Sequence, residues 1–208
     1  MPYKIKEIYY TIQGEGANSG RPAVFVRFSG CNLWGGREKD RASAICRFCD
    51  TEFVGGRIYL TAQAIAYEIE KHWPNYARSA SQPFVVLTGG EPALQVDDAI
   101  ISELRSRRFY IAIETNGTVS LPQGIHWVTV SPKSGTQLVI VEGNELKLVW
   151  PQADITPETY QHMQFEKFYL QPMDGPNRSL HEQIAARYCL DHPAWSLSLQ
   201  THKYLGIK

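Results

Sequence analysis

Short runs rich in β-branched and aromatic residues recur along the chain, and several of the gaps between them carry a helical period. The runs cover residues 4–10, 22–29, 84–88, 109–114, 125–130, 146–150, 167–171 and 195–200. The clearest helix is expected over 61–73, where Thr61 can cap, Ile65, Ile69 and Trp73 share a face, and Pro74 stops the run. A second is expected over 96–108, with Asp97 and Asp98 in its first turn and Arg105, Arg107 and Arg108 in its last, which suits the helix dipole. A third is expected to start at Thr156-Pro157-Glu158, and a fourth to span 179–190. Strands alternating with helices have few solutions: a parallel sheet joined by right-handed crossovers.

The residues just past the strands are equally regular. Gly89-Gly90-Glu91-Pro92, Thr115-Asn116-Gly117, Ser131-Pro132-Lys133 and Pro172-Met173-Asp174-Gly175 each come directly after a strand-like run. Any one of these clusters reads as a turn. Four in succession put glycines and polar groups at the carboxyl ends of strands, where α/β barrels and open α/β sheets carry their active sites.

Composition narrows the function. The 208 residues are 43% hydrophobic and 20% charged. A chain of that size buries about 70% of the surface its unfolded form exposes, so neither disorder nor a stapled miniature fold is expected. With 21 Lys and Arg against 21 Asp and Glu, and no block of like charge, a dedicated nucleic-acid binder is disfavoured. The first residues, Met1-Pro2-Tyr3-Lys4-Ile5-Lys6-Glu7, lack the apolar core of a signal peptide, and no run reaches the roughly 20 apolar residues of a membrane span. A soluble, cytoplasmic protein is expected. No repeat or linker divides it, so residues 1–208 are expected to form one domain.

Four cysteines are too few for a disulfide scaffold, so their spacing reads as chemistry. Cys31, Cys46 and Cys49 come after the second strand, with fourteen and two residues between them. Taken alone, Cys46-Arg47-Phe48-Cys49 fits a redox pair or a structural zinc site completed by Cys189 or a histidine. It also fits a four-iron cluster held by three thiolates, one iron being left for a small molecule. Gly89-Gly90-Glu91 favours the cluster, because bare backbone and a carboxylate at a strand end suit the amino group of an amino-acid cofactor. Cys189 sits in an apolar helical run and reads as a small buried hydrophobe.

These cysteines, with Gln13-Gly14-Glu15-Gly16, Gly20-Arg21-Pro22, Val26-Arg27-Phe28, Gly30-Cys31-Asn32-Leu33, Cys49-Asp50-Thr51 and Thr88-Gly89-Gly90-Glu91-Pro92, resemble the radical S-adenosylmethionine superfamily. Within it the chain is similar to the 7-carboxy-7-deazaguanine synthases, over Tyr10 to about Gly175. The superfamily usually has three residues between its first two cluster cysteines, so residues 32–45 look like an inserted cluster loop.

The resemblance implies an α/β fold, an incomplete (β/α) TIM-type barrel of the radical SAM kind. It implies a [4Fe-4S] cluster on Cys31, Cys46 and Cys49, S-adenosylmethionine on the open iron, and a 5′-deoxyadenosyl radical from its cleavage. Phe48, Asp50, Gly90, Glu91, Ser131, Pro132, Lys133, Gln171, Pro172, Met173 and Asp174 would bind that cofactor. The implied substrate, 6-carboxy-5,6,7,8-tetrahydropterin, would meet Ile12, Gln13, Gly14, Glu15, Arg27, Thr88 and Asn116. Arg27 offers a bidentate fork for a carboxylate, and Gln13 and Glu15 offer complementary donors and acceptors. Thr51 would place Mg2+, which accepts a site built largely from substrate and water oxygens. Ring contraction with loss of ammonia, in queuosine and deazapurine biosynthesis, is the implied activity; an external electron donor such as a flavodoxin and a homodimer are the implied partners. Two other readings remain: a radical activating enzyme for a protein partner, and a zinc-stabilised binding module.

Overall fold

A computed structural model describes residues 2–79 and 81–208. Its nine strands are β1 (Tyr3–Ile12), β2 (Pro22–Phe28), β3 (Arg57–Tyr59), β4 (Phe84–Gly89), β5 (Tyr110–Thr115), β6 (Trp127–Val130), β7 (Glu142–Trp150), β8 (Gln164–Pro172) and β9 (Trp195–Leu197). They form one sheet in the order β3-β1-β2-β4-β5-β6-β7-β8-β9. From β2 to β9 every neighbouring pair is parallel, whereas β1 runs antiparallel to both β2 and β3. The sheet does not close on itself, since β3 and β9 are its edges. The fold is an incomplete (β/α) barrel.

Three helices cover the sheet: α1 (Ala62–His72), α2 (Asp98–Ser106) and α3 (Arg178–Asp191). The Thr61 hydroxyl accepts from Ala64 N at 3.2 Å, so the expected cap forms, and Asp97, expected in the first turn, instead caps α2, its Oδ1 accepting from Ile100 N at 3.1 Å. Ile65, Ile69, Ile100, Ile101 and Leu104 are buried against Val24, Val26, Phe28, Val85, Leu87, Ile111 and Ile113. A second core joins Ala185 of α3 to Val130, Leu146, Leu148, Leu170 and Trp195. No helix among the described residues is long and apolar enough to cross a membrane.

The helix expected from Thr156 is only a 3-10 turn, Pro157–Thr159. The capping signals there are real, but β8 begins at Gln164 and leaves room for about one further turn. Strands β7 and β8 also begin earlier than their apolar runs, because Glu142 and Gln164, which pair with each other, and Glu145, which pairs with Lys167, occupy paired but polar positions. The edge strand β3 and the short helix α4 (Thr201–Leu205) carry no apolar period that sequence reading could detect.

Side chains alternate across these strands. On β7, Leu146 and Leu148 face the helices' core, while Glu145 and Lys147 point the other way. The parallel register places Arg27 beside Thr88, and Glu114 beside Thr129 and then Glu145. One face of the half-barrel is therefore apolar and helix-covered, and the other is polar.

Candidate active site

The polar face lines a cavity of about 560 Å³. Cys31, Cys46, Cys49, Asp50 and Thr51 border it from the loop after β2, and Thr88, Gly90, Asn116, Ser131, Lys133, Gln171, Pro172 and Asp174 border it from the carboxyl ends of β4, β5, β6 and β8. Phe48 and Arg27 also line it. Ile12, Gln13, Gly14 and Glu15 reach the same space by a different route. They come at the end of the antiparallel strand β1, and their loop crosses the polar face: Gly16 N donates to Ser198 Oγ (2.9 Å) and Ala17 N to Glu145 Oε2 (3.1 Å). Gly16 has φ +60°, and a Cβ there would lie 1.9 Å from Glu145 Oε1, so only glycine fits this crossing.

A network of charge underlies that loop. Lys147 Nζ donates to Glu15 Oε2 (2.6 Å) and Glu114 Oε2 (2.9 Å), and Gln13 Nε2 donates to Glu114 Oε1 (3.2 Å). Desolvation opposes ionisation of both carboxyls. For Glu15 the Lys147 ammonium outweighs it and holds the carboxyl down at about 2, whereas Glu114 is pushed up to about 7. Sequence reading does not single out Glu114 or Lys147. The signal is present in Glu145-Leu146-Lys147-Leu148, where charge and apolar residues alternate at strand period.

Arg27 is held at both ends of its fork: Nε donates to Glu7 Oε1 and one terminal nitrogen to the Tyr9 hydroxyl, each at 2.9 Å. Tyr9 in turn stacks on Phe25. The guanidinium is thus pre-oriented toward the cavity. Asn116 is similarly tied, donating to Asn32 Oδ1 at 3.0 Å and accepting from the Thr118 hydroxyl at 2.7 Å.

Three expected residues do not line the cavity. Glu91 is fully buried behind it, accepting from Ala93 N (2.9 Å), the Thr115 hydroxyl (2.6 Å) and Asn116 N (2.7 Å). Its carboxylate fixes the ends of β4 and β5 instead of offering itself to a ligand. Pro132 is buried, and Met173 contributes its carbonyl to His181 Nδ1 at 2.8 Å. Gly90 packs against the cysteine loop, where a Cβ would lie 2.0 Å from Gly30 O. Lys133 reaches back to Ser131 O (2.6 Å) and Oγ (2.9 Å), with Phe48 on its other side at 6.0 Å from the ring centroid.

All four cysteines are free of disulfides. Among the described residues no three Cys, His, Asp or Glu side chains are grouped tightly enough to hold a single metal ion. A cluster takes each cysteine on a separate iron, and three thiols bordering one cavity, beside the Gly90 cradle, fit that donor set. Cys189 lies on α3 against the second core, away from the cavity. The Thr51 hydroxyl borders the cavity beside the Asp50 carboxylate, 3.4 Å away, and oxygen donors of this kind suit magnesium.

Comparison with known proteins agrees with this geometry. No protein-family model matches the chain. It is 53% identical over 212 residues to the 7-carboxy-7-deazaguanine synthase of Caulobacter vibrioides, covering all of both chains. It is 54% identical over 213 residues to that of Bradyrhizobium diazoefficiens and 43% identical over 208 residues to that of Bacteroides thetaiotaomicron, again covering all of each chain. The crystal structure of QueE from Escherichia coli shares the fold, with a TM-score of 0.67 at 23% identity over 96% of this chain and 94% of that one. With relatives this similar along its whole length, the chain belongs to the 7-carboxy-7-deazaguanine synthase family.

Proposed function

We propose that the chain forms 7-carboxy-7-deazaguanine from 6-carboxy-5,6,7,8-tetrahydropterin with loss of ammonia, as a single radical S-adenosylmethionine domain with an inserted cluster loop at 32–45. The observation that carries this reading is the convergence of Cys31, Cys46 and Cys49 with Gln13, Glu15 and Arg27 on one cavity. Cys31, Cys46 and Cys49 would hold the [4Fe-4S] cluster, and Phe48, Asp50, Gly90, Ser131, Lys133, Gln171, Pro172 and Asp174 would surround S-adenosylmethionine. When bound, these two groups supply a one-electron reductive cleavage that starts radical chemistry, with the electron coming from an external donor.

This chain's own residues do the positioning. Arg27, already fixed by Glu7 and Tyr9, receives the substrate carboxylate without having to be ordered first. Gln13 and Glu15 meet the edge of the heterocycle, and Lys147 keeps Glu15 ionised for that task. Thr51, beside Asp50 at the edge of the cavity, would contribute one oxygen to Mg2+. The loops that border the cavity hold the reactants together and away from water, and since the conversion involves no net oxidation or reduction, S-adenosylmethionine bound there would be reusable.

The reading is tested by anaerobic reconstitution with iron and sulfide, then turnover with the carboxytetrahydropterin, S-adenosylmethionine, Mg2+ and a chemical reductant. Product in large excess over released 5′-deoxyadenosine is expected. Absence of product from fully loaded protein refutes the reading.

A further inference from the structure

Helix α4 carries no apolar period, yet it and the residue before it reach three segments that border the cavity. Thr201 donates to Gly14 O from both its N–H and its hydroxyl, each at 3.0 Å. Gln200 Nε2, just before the helix, donates to Glu15 Oε1 at 2.9 Å and to Asp50 Oδ2 at 3.3 Å. Lys203 Nζ lies 2.5 Å from Asp50 Oδ2 and 2.5 Å from Asp174 Oδ2. One short segment thus touches the substrate-side loop, the cysteine loop and the loop after β8.

We infer that Lys203 is a positioning residue for S-adenosylmethionine: its ammonium clamps the cysteine loop to the loop after β8 across the mouth of the cofactor site. This inference rests on the proposed function. Two observations separate the clamp from an ordinary surface ion pair, which contributes little. Two carboxylates converge on one cation, and without it they would repel one another across the site. Each also sits on a segment bordering the cavity, Asp50 directly after Cys49 and Asp174 two residues beyond Pro172. Lys203 is not needed to hold α4 in place. Tyr204 is hydrogen-bonded to Glu182 of α3 and lies under the Arg178 guanidinium, 4.1 Å from the ring centroid, and Thr201 remains on Gly14.

Hydrogen exchange on iron-free wild type and Lys203→Met tests the clamp without any catalysis. Exchange should quicken about threefold or more in both 46–53 and 172–177, while β4 and β5 are unchanged and Lys203→Arg stays near wild type. Unaltered exchange in either loop, or a general rise that includes β4 and β5, overturns the inference. In reconstituted protein, Lys203→Met should weaken S-adenosylmethionine binding about fivefold, the scale of a pair of partly exposed ion pairs. Lys71→Met, which removes an exposed pair on α1, should not change it. Equal affinity in wild type and Lys203→Met overturns the clamp. Wild-type protein that binds no S-adenosylmethionine refutes the functional reading instead, and the exchange rates then decide the clamp alone.

Discussion

The two faces of β7 are buried to the same degree and for opposite reasons. Leu146 and Leu148 are fully buried, and Glu145 and Lys147 are 2% and 3% exposed. The leucines meet α3 and the apolar side chains of β8, and their burial is favourable at about 25 cal/mol per Å². Glu145 accepts from Ala17 N in the loop from β1 and from Trp127 Nε1, Lys147 donates to Glu15 of that loop and to Glu114 of β5, and their burial is tolerable only because each is hydrogen-bonded. Burial therefore does not distinguish core from site in this molecule. The distinction lies in whether an apolar helix or a polar loop covers the strand.

The largest effect should come from breaking the polar face at its centre. Lys147→Ala leaves Glu15 and Glu114 without their shared cation and should destabilise the iron-free protein by about 3 kcal/mol in urea unfolding. Adding Glu114→Gln should recover part of that loss. A single variant within 0.5 kcal/mol of wild type (about the scatter of surface changes) would show that the network is not structural.

Leu148→Ala, one residue away on the apolar face, should cost about 2–3 kcal/mol through a cavity. Unlike Lys147→Ala, it should leave the pH dependence of stability intact.

That pH dependence has two parts with opposite sign. Glu15, held from its usual 4.5 down to about 2, contributes stability that is present above pH 4.5 and lost as pH falls toward 2. Glu114, raised from 4.5 to about 7, binds its proton more tightly folded than unfolded, so stability declines as pH rises from 4.5 to 7. Urea titrations across pH 2–8 should show a shallower upper decline in Glu114→Gln, the remainder coming from Glu91 and Glu145, whose carboxyls burial also pushes up. An upper decline as steep as in wild type would show that the assignment to Glu114 is wrong.

The smallest effect belongs to the outer layer. Thr61→Ala removes the α1 cap and should cost about 1 kcal/mol, with substrate and cofactor binding unchanged.

The same contrast explains what the sequence reveals. Ile65, Ile69, Val24, Val26 and Ile111 announce the apolar face because hydrophobic period reports which side is covered by helices. The strand-end residues Gly90, Asn116, Ser131 and Lys133 are legible because their clusters recur after strands. Glu91 is legible as a strand-end carboxylate, but not as one turned inward, since its orientation depends on Thr115 and Asn116 some 24 residues away. Glu114, Lys147 and Lys203 are silent for a related reason. A charged residue is unremarkable in sequence, and only contacts such as Lys203 to Asp50, 153 residues apart, give it a role. The helix expected at Thr156 fails in the opposite way: its local start signal is sound, and strand pairing from Gln164 overrides it.

The most direct test uses the cysteines, because three border the polar-face cavity and the fourth lies on the helix covering the other face. Iron and acid-labile sulfide should be measured after identical anaerobic reconstitution of wild type and of Cys31→Ala, Cys46→Ala, Cys49→Ala and Cys189→Ala. Four irons are expected in wild type and in Cys189→Ala, the number in a [4Fe-4S] cluster, and loss of stable iron in the other three. Full iron in Cys46→Ala, or its loss in Cys189→Ala with the fold intact, would contradict a cluster held by the three cavity thiolates.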